Sequence, residues 1–172
     1  GTHCPDNASQ YQLPSTADHL TNSILICYED INTATHSNQP NEGVYRAVYD
    51  EYPCRKLVVN YNCIPKYGTS SPTTAWSKYQ LVCYEGTNII EVHIFRHTAQ
   101  CSTDGNAAII GINKGATTGL PSTCLAAYPA PGRNRLNNIN INNAVTSATS
   151  NIPHAEAWRW TPMGTTIRNV MW

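Results

Sequence analysis

At 172 residues the chain is long enough for one well-packed domain and short for two. It carries no net charge, and charged residues make up 13% of it, about half the usual share. That excludes a basic field for a large nucleic-acid surface or an anionic membrane, and no run reaches the roughly 18 apolar residues of a membrane span. The chain begins GTHCP without a signal peptide, as a mature or trimmed N-terminus would.

Residues 1–14 read as a loop broken by Pro5 and Pro14. A helix is predicted over about 16–32. Ser15 and Thr16 suit the N-cap, Asp18 suits the first turn, and Leu20, Ile24, Cys27 and Ile31 form one apolar stripe. A polar loop, 33–43, follows and closes on Gly43. Val44 to Glu51 then alternates as a strand, with Pro53 ending it. Lys56 to Asn62 is a second β-rich run, and 66–75 is a loop rich in Gly, Ser, Thr and Pro.

Tyr79 to Cys101 reads as a hairpin turning at Gly86, Thr87 and Asn88. Its second strand places Ile90, Val92 and Ile94 on one face, which needs a helix or second sheet to cover it. Glu91, His93, Phe95 and His97 fall on the other. A carboxylate beside two imidazoles is either a solvated surface or the floor of a site. His93, His97 and Cys101 would suit a metal on a helix, but the β-branched surroundings argue for a strand, so no metal or cofactor is expected.

Ala108 to Ile112 is a short apolar strand, and Pro121 to Arg135 is a loop. In the tail, Trp158, Trp160 and Trp172 are expected to pack back on the core. One helix followed by antiparallel strands makes an α+β class, β-rich overall, with the N-terminal helix packed on the sheet. The whole chain, 1–172, is expected to be a single domain: a core over 15–105 and an extension over 125–172 that packs on it.

Cysteines stand at positions 4, 27, 54, 63, 83, 101 and 124, without the CxxC pairs of a zinc site. With the low charge they point to a secreted, disulfide-stapled domain of three bridges and one leftover thiol, at least two of the cysteines between 4 and 101 being joined. Six cysteines allow 15 connectivities, and none is singled out. Asn7-Ala8-Ser9 is a glycosylation sequon consistent with secretion.

Four segments resemble the secreted fungal guanyl-specific ribonucleases and the ribonuclease-like effectors of fungal pathogens. They are His36-Ser-Asn-Gln-Pro-Asn-Glu42-Gly43, Tyr49-Asp-Glu51-Tyr-Pro53, the Tyr79 to Ile94 hairpin and His97-Thr98. The resemblance implies a metal-independent endoribonuclease that gives a cyclic phosphate. Glu51 would be the base, His97 the acid, and His36 a positioning group, with Glu51 and His97 on one concave face. Glu42, Asn38 and Asn41 would hold the nucleobase. Two positions depart from the family. The Arg expected on the first hairpin strand is replaced by Lys78-Tyr79-Gln80-Leu81, and Ala34 stands where a Tyr is expected.

A missing cation at a phosphoryl transition state costs about 10²–10³ in rate. The expectation is therefore a secreted effector or toxin, a virulence factor, with weak or lost cleavage and a binding role. Its partner would be a host protein or single-stranded RNA, and the sequence implies no oligomer. The alternatives are an active endoribonuclease and, from ten Tyr and four Trp, a carbohydrate-binding module.

Overall fold

The computed structural model describes residues 22–28, 31–68, 70–97, 109–113, 127–129, 156–163 and 166–171. Among these there are nine strands and no helix. In chain order they are β1 (Ser23–Tyr28), β2 (Gly43–Tyr49), β3 (Lys56–Pro65), β4 (Trp76–Tyr84), β5 (Ile90–Arg96), β6 (Ile109–Asn113), β7 (Ala127–Pro129), β8 (Glu156–Met163) and β9 (Thr166–Met171). They form two antiparallel sheets, one of three strands in the order β1-β6-β7 and one of six in the order β2-β3-β4-β5-β8-β9.

Over the described residues the α+β expectation is therefore corrected to all-β. The segment predicted to be the heart of a helix is β1. Its sequence, SILICY, satisfies two periods at once, and Cys27 points inward in either. The deciding residues are Leu25, which is buried, and Ile24, which is 37% exposed although the helical stripe requires it inside. Pairing with β6 selects the period of two. The cap residues Ser15, Thr16 and Asp18 lie outside the described residues.

The second correction concerns the staples. No disulfide joins Cys27, Cys54, Cys63 or Cys83 to one another, and Cys4, Cys101 and Cys124 lie outside the described residues. Apolar burial between the sheets holds the described part together instead. From the large sheet Tyr79, Leu81, Val92, Ile94, Trp158 and Trp160 meet Cys27 and Ile110 of the small one. The apolar face of the hairpin is thus covered by a second sheet. Trp158 and Trp160 are fully buried, as expected of them, and Trp172 lies outside the described residues. β7 falls within the stretch read as the loop Pro121 to Arg135, and β2 ends at Tyr49 rather than Glu51.

Two turns meet at one end of the large sheet. The β4–β5 turn uses Gly86 and Asn88, both at positive φ. A Cβ on Gly86 would stand 2.9 Å from the Pro53 carbonyl oxygen in the β2–β3 turn. The Arg55 guanidinium donates to both carboxylate oxygens of Glu85 across the same junction. We expect Gly86→Ala to cost about 1–3 kcal/mol through the left-handed backbone and the clash together, read as a lower urea midpoint at unchanged slope. A stability equal to that of the parent would show that the two turns do not touch.

Candidate functional site

The large sheet has an inner face against the small sheet and an outer face. Cross-strand pairing defines two adjacent rows on the outer face. One runs Tyr45, Asn60, Gln80, His93, Ala157, and the other Ala47, Val58, Val82, Glu91, Arg159. Polar residues alternate with the inward apolar set because the pleat has a period of two.

Glu91 is the electrostatic centre of this face. Its side chain is 7% exposed and accepts hydrogen bonds from the Tyr84 hydroxyl at 2.9 Å and from Arg159 Nε at 2.6 Å. His93 Nε2 lies 3.2 Å from the same carboxylate. Burial alone would raise the Glu91 pKa, but the bonds from Tyr84, Arg159 and His93 outweigh it and hold the carboxyl below the usual carboxylate range. Every oxygen is engaged, so Glu91 fastens β5 to β8 and is not poised to move a proton.

Beside this clamp, toward the other end of the sheet, lies a cleft of about 450 Å3. Its floor is Asn60 and Gln80, with Asn41 and Asn62 on one side and Lys78 and Phe95 on the other; Tyr45 stands at the rim. Gln80 Nε2 donates to Asn60 Oδ1 at 2.7 Å. That pair leaves an amide donor on Asn60 and an amide acceptor on Gln80 for a ligand. Asn62 donates to the carbonyl oxygens of Pro40 and Asn41 and so ties the 36–42 loop to the sheet. Phe95 is 39% exposed. It stacks on His93 at a centroid distance of 6.2 Å, and Lys78 Nζ stands 5.9 Å from its ring centroid.

Two bulges shape this end. Between Tyr61 and Ile64, β3 carries an extra residue, and Cys63 there has φ of 58°. In β5 the pairing passes from Tyr79↔Ile94 to Lys78↔Arg96, which also inserts one residue. The β5 bulge puts Phe95 and Arg96 next to Lys78, and Arg96 packs 3.8 Å over the Trp76 ring.

The residues named from sequence are dispersed. His36, Asn38, Asn41 and Glu42 sit in one loop. The Glu42 carboxylate accepts from the Ser37 backbone N–H at 2.7 Å and the Ser37 hydroxyl at 2.8 Å, and His36 Nδ1 lies 3.3 Å away. Burial acts to raise the Glu42 pKa, but the Ser37 hydrogen bonds and His36 prevail and lower it. The carboxylate shapes its own loop, and only Asn41 of this set lines the cleft.

Glu51 is exposed in the β2–β3 turn, beyond the Lys56↔Tyr84 pairing. His97 follows β5 beyond the Lys78↔Arg96 pairing. From Lys78 to Tyr84 is six steps along β4, roughly 20 Å at about 3.3 Å per residue. The two groups therefore do not share a phosphate. The bulge also reverses side-chain parity, and His97 is buried at 1% exposure instead of joining Glu91 and His93 on the outer face. Among the described residues no cluster of His, Cys, Asp and Glu could hold a metal ion. Nor is any helix there long and apolar enough to cross a membrane.

Sequence reasoning passed over Asn60, Asn62, Gln80 as a ligand group, and Arg159. A signal was present for three of them. Asn60 and Asn62 are two apart in a β-branched run, hence on one face, and Arg159 lies between two inward tryptophans, hence outward.

Glu91→Gln is expected to lower stability by about 1–3 kcal/mol at pH 7, because it leaves a half-buried Arg159 without its counter-charge. The pH dependence has a definite sign. With folded pKa values below the unfolded one, Glu91 and Glu42 contribute fully above about pH 4.3 and lose that contribution as pH falls through their folded values. Thermal melting between pH 7 and pH 2 should show that fall, shallower in Glu91→Gln. Parallel profiles for parent and variant would remove Glu91 from the account.

No curated protein matches the chain, and no solved structure matches it. The model of the family described as NIDO related matches residues 1–162, nearly all of the sequence, and the chain belongs to that NIDO-related family.

Proposed function

We propose that this chain is a non-catalytic recognition domain that binds a saccharide in the outer-face cleft. The observation that carries the reading is the lining of that cleft: four side-chain amides with an exposed aromatic ring beside them. A sugar presents alternating hydroxyl donors and acceptors, which amides match in both senses, and a C–H face, which packs on a ring such as Phe95. Lys78 at the edge adds a cation suited to a carboxylate or sulfate substituent.

The binding half of the ribonuclease-like reading is kept here, and the cleavage half is not. RNA cleavage at a 2′-hydroxyl needs a base and an acid on either side of one phosphorus. Glu51 and His97 stand at opposite ends of the sheet, and the oxygens of Glu42 are engaged within its loop. An extracellular setting is part of the proposal and is supported by composition: few charges and the Asn7-Ala8-Ser9 sequon.

The test is a glycan array followed by calorimetry on the best ligands. Phe95→Ala and Gln80→Ala should each weaken binding by about tenfold or more, as loss of a stacking ring or of a paired polar group does. Glu51→Gln should bind like the parent, and a dinucleotide cleavage assay should show no product. Absence of any glycan ligand, or affinity indifferent to Phe95 and Gln80, would reject the cleft as a saccharide site. Cleavage abolished by Glu51→Gln would instead establish an endoribonuclease.

A further inference from the structure

The large sheet ends at β2. All seven residues of the strand pair with β3 in unbroken register, from Gly43↔Asn62 to Tyr49↔Lys56, and no described strand lies on its other side. Soluble proteins guard such edges with Lys, Pro, a bulge or brevity. Gly43–Tyr49 contains no Lys, no Pro and no bulge. Instead Val44, Tyr45, Val48 and Tyr49 are 47%, 50%, 62% and 55% exposed.

We propose that β2 is a dimer interface, at which two copies of the chain pair β2 with β2 antiparallel and join their six-stranded sheets into one. The occupant is inferred from the strand's complementarity to itself. A two-fold axis normal to the sheet keeps outer residues on the outer face in both copies, so residue numbers that face one another have an even sum. An axis through Arg46 sets two guanidinium groups directly opposite, which is destabilising. An axis through Tyr45 leaves Val48 and Tyr49 uncovered.

An axis through Ala47 has neither fault. The smallest side chain of the alternating run meets itself, and Tyr45 faces Tyr49 of the second copy on both sides of the axis. Arg46, the strand's one charged residue, lays its stem against Val48 of the second copy. Two-fold pairing of this kind closes on itself. Because the axis preserves faces, both clefts open on the same side, with Tyr45 at the rim of each. The inference does not depend on what the cleft binds.

Sedimentation of the full chain should show a monomer–dimer equilibrium, and amide exchange in β2 should slow as concentration rises. Val48 gives a test specific to the register, at a position exposed enough to tolerate either charge. Val48→Lys places a like charge opposite Arg46 twice and should weaken the dimer by about tenfold; Val48→Glu places an opposite charge there twice and should tighten it a few-fold. Three results would overturn the proposal. They are a monomer at the highest attainable concentration, a dimer whose β2 amides exchange as in the monomer, and two variants that shift the equilibrium in the same direction. The exchange measurement uses the parent chain and stands whether or not either variant folds.

Discussion

Strand β8 is held from both faces at once, and most of the structure depends on that grip. On its inner side Trp158 and Trp160 fill the space between the sheets. Each removes roughly 150–250 Å2 from water, an upper bound of about 4–6 kcal/mol apiece before entropy is counted. On its outer side Arg159 closes on Glu91 of β5. A register slip of one residue would put a guanidinium in the core and two indoles in water. The alternation Trp-Arg-Trp therefore fixes the register of β8 against β5.

The outer face follows from that arrangement. Glu91 and Val82 are both buried there, and Tyr84, His93 and Arg159 close over the Glu91 carboxylate. The polar row next to it, Asn60 and Gln80, is left open. At the end where the cleft lies, β3 and β5 each carry a bulge, and these turn Asn62 and Phe95 toward the same space. Tyr45 is set by Gly43, whose missing side chain leaves room for the tyrosine ring 3.0–3.2 Å from where a Cβ would stand. The Tyr45 hydroxyl then donates to the Glu42 carbonyl oxygen at 2.8 Å.

Much of this was legible in the amino-acid sequence. Strict alternation from Ile90 to Ile94 showed which side of β5 faces inward and that a layer had to cover it. Gly86 and Asn88 marked the turn, and Trp158 and Trp160 marked themselves as core. What could not be read has physical causes. β1 satisfies helical and strand periods equally, and only a partner 90 residues on, Asn113 opposite Ser23, decides between them. Parity arguments assume an unbroken ladder, and one inserted residue in β5 moved His97 from the surface to the interior. The resemblance of short motifs placed Glu51 near His97 because it took their order along the chain for nearness in space. The cleft was hidden for a related reason: its amides come from three separate stretches, and none of them is unusual where it stands.

The pairing of β5 with β8 spans the chain from about residue 90 to residue 160. A chain emerging from the ribosome therefore makes β2 to β5 first and then continues for some 60 residues with β5 open along one side. During that interval the inner faces of Val92 and Ile94 lack the two indoles that cover them in the finished sheet. At about 5–20 residues per second the exposure lasts several seconds, and long-range strand pairing is slow to form even when both partners are present. The same contact that locks the mature sheet thus leaves the nascent chain with a sticky unpaired border, and chaperones that bind extended apolar segments would meet it there.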